Sequence, residues 1–216
     1  MVMGTGYNPR IVTENLVFCV DAANIRSYPK TGTTWADLKG GNNGTLTNMD
    51  ASNFSADNGG VLTFDGANES VDCGNLGLNA SYLTVTAWVY ITTGSRYQHI
   101  VDSSGNTWHL AILNNNRPYF SSGIGYHTGA PVLDNNKWYM LTGRTRPTGY
   151  DIIINTSIGQ TNSGGAYPST NNLKIGHWQN GGRFFAGKIA NTLIYNRSLT
   201  DDEIRQNYLA TKERYA

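Results

Sequence analysis

The stretch Leu83–Ile91, LTVTAWVYI, decides the fold class. Leu83, Val85, Ala87, Val89 and Ile91 fall on one face, and Thr84, Thr86, Trp88 and Tyr90 on the other. Strict period two over nine residues is the signature of a β-strand. The aliphatic face points to a core and the opposite face is mixed polar and aromatic. Working outward, shorter runs of the same kind precede it at Leu16–Asp21, Gly44–Leu46, Val61–Phe64 and Ser70–Cys73. Others follow at His99–Asp102, Trp108–Leu113, Arg117–Ser121, Trp138–Arg144, Asp151–Asn155, Leu173–Gly176, Phe185–Ile189 and Leu193–Asn196. Clusters of Gly, Asn, Ser and Asp separate them. Asn114–Asn116 reads as a hairpin loop because Asn tolerates left-handed backbone, and Pro147–Gly149 as a second turn. About a dozen short strands at this spacing argue for a β-sandwich or barrel.

One helix is expected, at about 200–212. Thr200-Asp201-Asp202-Glu203 is a capping box with acidic residues in the first turn. Ile204, Tyr208 and Thr211 share a face that should pack on the sandwich, since so short a helix is not stable alone. Lys212 and Arg214 suit the negative C-terminal end.

Composition narrows the function. Of 216 residues only 14% are charged, against about 25% in an ordinary domain. Amides and hydroxyls, with 25 Gly, do the solubilising. Net charge is +1 with no Lys/Arg block, so an electrostatic nucleic-acid partner is not expected. No apolar run reaches the ~20 residues of a membrane span. Met1–Arg10 lacks the apolar segment of a signal peptide, so none of the six Asn-x-Ser/Thr matches is read as glycosylated. Twenty-four aromatic rings (13 Tyr, 5 Trp, 6 Phe) exclude a solvated coil. Cys19 and Cys73 sit in strand contexts and read as two buried free thiols; a bridge would require the strands to lie close, which the sequence leaves open.

Four segments carry a resemblance. They are LVFCVDAANIRSYPKTGTTWADLKGGNNGTL at 16–46, VLTFDGANESVDCG at 61–74, LTVTAWVYI at 83–91, and FAGKIANTLIYNRSLTDDEIRQNY at 185–208. Together they resemble laminin-G-like domains of the concanavalin A-like lectin/glucanase superfamily. NNKWYMLTGRTRPTGYDIIIN at 135–155 is similar to that family's central hairpin. The fold this implies is all-β: a two-sheet antiparallel jelly-roll sandwich with one short C-terminal helix. The domain would run from 14 to 216, after an N-terminal arm at 1–13. The start, LVFCVDAANIRSYPKTGTTWADL, and the end, IRQNYLATKERY, are similar to domains in virion proteins of tailed bacteriophages. That implies a virion protein, a capsid decoration or appendage module assembled in the host cytoplasm. Its partners would be other virion proteins and further copies of itself, and the chain, starting at Met1, would form its own module. A carbohydrate-binding module for host attachment is the alternative. The sequence departs from many relatives at Gly187-Lys188-Ile189-Ala190-Asn191, which has no acidic pair, and at Asn155-Thr156-Ser157, where Asn-Gly is usual.

The superfamily includes glucanases, whose carboxylates alternate as Glu-x-Asp-x-Glu on one strand face. This chain has four Glu (Glu14, Glu69, Glu203, Glu213), none in that pattern. Glu69 with Asp65 or Asp72 reads as a polar turn. No enzyme is therefore expected. His99, His109, His127 and His177 show no metal-ligand spacing, and Asp102, in Asp-Ser-Ser-Gly-Asn, reads as a calcium-capable loop carboxylate, although one carboxylate makes no site. No cofactor is expected; a calcium ion would be sought at Asp21 or Asp65, although Asp65 also suits an Asx turn before Gly66. Sugars are held by aromatic faces with amides and hydroxyls fixing orientation. Trp178, Gln179 and Asn180 in GHWQNGG, Tyr126 and His127 in GIGYHTG, and Tyr97 are the candidate glycan residues. Trp35, Trp88 and Trp138 read as structural.

Overall fold

The structure, a computed structural model, describes residues 9–78, 80–103, 107–122, 129–164 and 172–216. Fifteen strands form two antiparallel sheets, with one α-helix at the end. The strands are β1 (Leu16–Asp21), β2 (Thr34–Trp35), β3 (Gly44–Thr47), β4 (Phe54–Ser55), β5 (Val61–Asp65), β6 (Ser70–Asn75), β7 (Thr84–Ile91), β8 (Gln98–Ser103), β9 (Trp108–Ile112), β10 (Pro118–Ser121), β11 (Trp138–Arg146), β12 (Gly149–Ile154), β13 (Ser157–Asn162), β14 (Asn172–Ile175) and β15 (Ala186–Tyr195). Helix α1 spans Asp201–Thr211.

The first sheet has the order β13-β12-β11-β7-β15-β5-β4, with β1 also pairing β15. One edge of β15 serves two strands, β5 along Ala186–Ile189 and β1 along Asn191–Tyr195. The second sheet has the order β10-β9-β8-β14-β6-β3-β2. Consecutive strands pair in β8-β9-β10 and β11-β12-β13, while β15 with β7, β5 and β1, and β14 with β8 and β6, join distant parts of the chain, as a jelly roll requires.

The period-two reading of β7 holds. Val85, Ala87, Val89 and Ile91 are fully buried in the core between the sheets, with Leu83 just before them. They meet Ile100, Val101, Trp108, Leu110, Ile112 and Phe120 from the second sheet. Close packing accounts for two glycines in particular. At Gly143 a Cβ would run into the Phe120 ring, and at Gly187 into the Tyr90 carbonyl, with φ at +153° besides. Cys19 and Cys73 are free and buried, in separate apolar clusters. Burial pushes the Cys19 thiol up to about 12 and raises that of Cys73 as well.

The outer face of the first sheet is covered. Thr200 Oγ1 accepts from the Glu203 N–H and Glu203 Oε2 from the Thr200 N–H, so the capping box is complete. Ile204 packs with Leu193, Tyr195, Met140 and Trp88, while Tyr208 and Tyr215 stack on Trp88 at 5.6 and 4.2 Å between centroids. Trp88 Nε1 donates to Thr211 Oγ1 at 2.8 Å. Arg214, expected to serve the end of the helix, instead reaches back to Asp21 at 2.9 and 3.1 Å. Part of the expected N-terminal arm lies on this face too. Val12 donates its N–H to Asn207 and accepts at its carbonyl from Tyr195 Oη, and Ile11 and Val12 join the apolar cluster.

Candidate functional site

The second sheet presents a different outer face. It begins with an irregularity in β8: the pairing of β8 with β9 shifts register between His99 and Val101. Ile100 and Val101 both point into the core, so this bulge turns His99 and Asp102 to the same outer side. Without it, residues three apart in a strand would face opposite ways. Across the ladder Asp102 pairs with His109, and Ala111 pairs with both His99 and Tyr119. His99, Asp102, His109 and Tyr119 therefore converge.

The contacts are close. His99 Nδ1 lies 3.2 Å from Asp102 Oδ1 and His99 Nε2 lies 3.2 Å from Tyr119 Oη. His109 Nδ1 is 3.8 Å from the same carboxylate oxygen. The Gln179 N–H donates to Asp102 Oδ2 at 3.2 Å. His99 and Asp102 are 0% and 1% exposed. Burial, with the charges of Arg183 and His177, holds the His99 imidazole down to about 3; burial and His99 do the same to His109, also to about 3. Burial pushes the Asp102 carboxyl up to about 6. Burial thus disfavours charge on both rings, and His99 Nδ1 stands at hydrogen-bond distance from Asp102 Oδ1.

Above this floor runs the loop from β14 to β15, which carries three of the six candidate glycan residues. Trp178 sits 5.9 Å from His99 between ring centroids. The Arg183 guanidinium lies over Trp178 at 4.2 Å and over Tyr97 at 5.1 Å, tying the two rings into one patch. The Arg183 carbonyl accepts from the His99 N–H at 3.0 Å, which fixes the loop to β8. Tyr97 is 38% exposed, Asn180 is exposed, and Trp178 and Gln179 are half-buried. The structure therefore brings together Tyr97, Trp178, Gln179 and Asn180. Tyr126 and His127 lie outside the described residues.

Other sequence-level candidates fall elsewhere. Both Asp21 carboxylate oxygens are bound by Arg214, and one also accepts from the Ala23 N–H. Asp65 Oδ1 accepts from the Ala67 and Asn68 N–H groups, an Asx turn. Glu69 closes the same turn, accepting from the Asp65 N–H and from Asn53 Nδ2. Two readings need correction. Asp102 is not a loop residue but a buried strand residue. His99 and His109, without metal-ligand spacing along the chain, stand together with Asp102, one ligand atom of each within 4.8 Å of the others. The signal in the sequence is His99-Ile100-Val101-Asp102, where two adjacent aliphatics interrupt period two.

A laminin-G-like family profile, described as the concanavalin A-like lectin/glucanases superfamily, matches residues 65–205. The chain belongs to this family. Comparison with curated protein sequences finds no match. Among solved structures, Trypanosoma rangeli sialidase in complex with an inhibitor is similar with a TM-score of 0.73 at 16% identity. The match covers 100% of this chain and 36% of the sialidase, so the chain spans about a third of that enzyme. Domain 4 of an extracellular arabinanase from Geobacillus stearothermophilus, in complex with arabinotriose, is similar with a TM-score of 0.68 at 13% identity, covering 91% of this chain and 98% of that one. The binding domain of botulinum neurotoxin serotype D/C has a TM-score of 0.65 at 16% identity, covering 91% and 52%. At these identities the likeness is one of fold. Among the described residues no helix is long and apolar enough to cross a membrane.

Proposed function

We propose that this domain is a non-catalytic glycan-binding module. The observation that carries the reading is the patch of Tyr97, Trp178 and Arg183 with the amides of Gln179 and Asn180 beside it. Aromatic rings next to amides match the two halves of a sugar, an apolar C–H face and a rim of hydroxyls. Tyr126 and His127 are proposed to complete the site. The fold supports this, since the arabinanase domain, matched over nearly its whole length, is bound to an oligosaccharide. The non-catalytic reading rests on the carboxylates. Asp65 and Glu69 are spent on a turn, and the four Glu of the chain form no alternating set on a strand. Titration with arabino-oligosaccharides and with bacterial surface polysaccharides, together with a glycan array, tests this. Binding should appear for the intact chain and weaken at least tenfold in Trp178→Ala. Binding undiminished in Trp178→Ala and in Tyr126→Ala would remove the site, and an unresponsive array would remove the function.

We further propose that the module is carried on a tailed-bacteriophage particle, assembled in the host cytoplasm with other virion proteins and with copies of itself. The two segments that resemble phage domains, 16–38 and 204–215, form one unit in the fold. Arg214 pairs with Asp21, and Cys19 and Leu38 pack in the same cluster as Ile204, Tyr208 and Tyr215. An antibody to this chain should decorate purified particles in electron micrographs. Particles that stay bare and lack its peptides by mass spectrometry would sink the proposal.

A further inference from the structure

The cluster beneath the Trp178 loop has a chemistry that sugar binding does not use. Two imidazoles flank a buried carboxylate, and the hydrogen bonds do not close among them. His109 Nδ1 is buried and has no hydrogen-bond partner. At 3.8 Å it is too far from Asp102 Oδ1 for a hydrogen bond. Gln179 brings its backbone to Asp102, and its side-chain Oε1 is likewise buried without a partner. Native proteins leave few such atoms, and each calls for a reason. The nearest fixed cation on the strand next to Asp102, Lys174, is engaged with Asp72 at 2.9 Å.

We propose that His99, Asp102 and His109 bind a divalent transition-metal ion through Nδ1, Oδ1 and Nδ1. Two imidazoles and one carboxylate are a zinc-type donor set that leaves a coordination position open. Metal–ligand bonds of about 2.0–2.2 Å at tetrahedral angles place donor atoms about 3.3–3.5 Å apart. The separations of 3.2 and 3.8 Å to Asp102 Oδ1 bracket that value. The surrounding groups suit the role. With Nδ1 on the metal, His99 carries its proton on Nε2 and donates it to Tyr119 Oη, which fixes tautomer and ring orientation. Asp102 Oδ2 is held by the Gln179 N–H. A bound cation would give the buried Asp102 carboxylate a counter-charge. The ion would also tie the Gln179 stretch to β8, so that a metal lies under the floor of the glycan patch. The metal site stands on its own geometry and does not depend on sugar binding.

The test is titration of Zn²⁺ into the chelator-stripped full chain, followed by calorimetry and by metal analysis after gel filtration. One ion per chain is expected. Asp102→Asn and His109→Gln should each weaken binding at least tenfold, and Tyr119→Phe by about tenfold. Because buried substitutions can prevent folding, the unaltered chain is also titrated with Co²⁺. A tetrahedral site of imidazole and carboxylate gives intense visible bands, and the aqua ion does not. Failure of the unaltered chain to retain Zn²⁺, a Co²⁺ spectrum like that of the aqua ion, or folded variants that bind as well as the parent would each overturn the proposal.

Discussion

The outer faces of the two sheets are built from different chemistry. On the first sheet the charged groups under α1 are paired, although Tyr215 Oη and Arg146 Nε are buried without partners. Arg144 binds Asp151, Asp201 and the Leu199 carbonyl, while Asp151 also accepts from Arg146 and Thr161. Tyr195, Asn207 and Val12 close a second set. On the second sheet His99 and Asp102 are as deeply buried but form no such paired set of charges, and beside them His109 Nδ1 and Gln179 Oε1 are left without partners. A satisfied network fixes one structure; an unsatisfied one of imidazole and carboxylate is ready for a ligand. On the proposals made above, the ion-paired face carries stability and the imidazole–carboxylate face carries ligand binding.

The sharpest way to break this assignment is Asp151→Ala. It leaves Arg144, whose side chain is 5% exposed, with only Asp201 and the Leu199 carbonyl at one nitrogen, and it strips the acceptor from two further donors. Removing one partner of a buried pair costs about 3–5 kcal/mol, so chemical denaturation should show a large fall in midpoint. An unchanged midpoint would mean that the network under α1 does not hold the helix. Ile204→Ala comes next. It empties a buried site between α1 and the sheet and should cost about 2–4 kcal/mol by the same measurement. A loss below about 1 kcal/mol would show that the helix is peripheral to stability.

The helix cap gives a smaller effect. Thr200→Ala removes the acceptor for the Glu203 N–H and should cost about 1 kcal/mol. The same cap predicts a pH dependence. The Arg197 guanidinium, opposed by partial burial and helped by the Thr200 N–H, holds the Glu203 carboxyl down to about 2. A depressed carboxylate stabilises the fold above its ordinary pKa near 4.5, and that contribution fades as pH falls from there toward 2. Thermal unfolding of Glu203→Gln should therefore converge with that of the parent as pH is lowered through this window. A gap that widens instead would refute the assignment.

What the sequence makes legible divides along the same line. The capping box is local, three residues from Thr200 to Glu203, and β7 shows its faces by alternation alone; both are readable without tertiary structure. The loop aromatics and amides at 178–180 are readable because glycine-rich loops between strands expose what they carry. The His99–Asp102–His109 cluster is hidden. Its first two members are three apart in a strand, which alternation would separate, and the bulge that joins them depends on the core accepting both Ile100 and Val101. His109 arrives only through the register of β8 with β9. The ion pair of Asp21 is hidden for the same reason: its partner Arg214 lies 193 residues away.

The smallest expected effect tests the comparison most directly. His109→Leu removes a buried nitrogen that has no partner and substitutes an apolar side chain beside Ala111 and Tyr119. Leaving a polar atom buried and unpaired costs about 1–3 kcal/mol, and its removal returns that penalty even where packing is imperfect. In the chelator-stripped protein this variant should therefore unfold within about 1 kcal/mol of the parent or be more stable. Asp151→Ala, at a fully buried position on the opposite sheet, should lose several times more. If instead His109→Leu destabilised the metal-free chain as much as Asp151→Ala does, the cluster would be structural like the network under α1, and the division of labour between the two faces would fail.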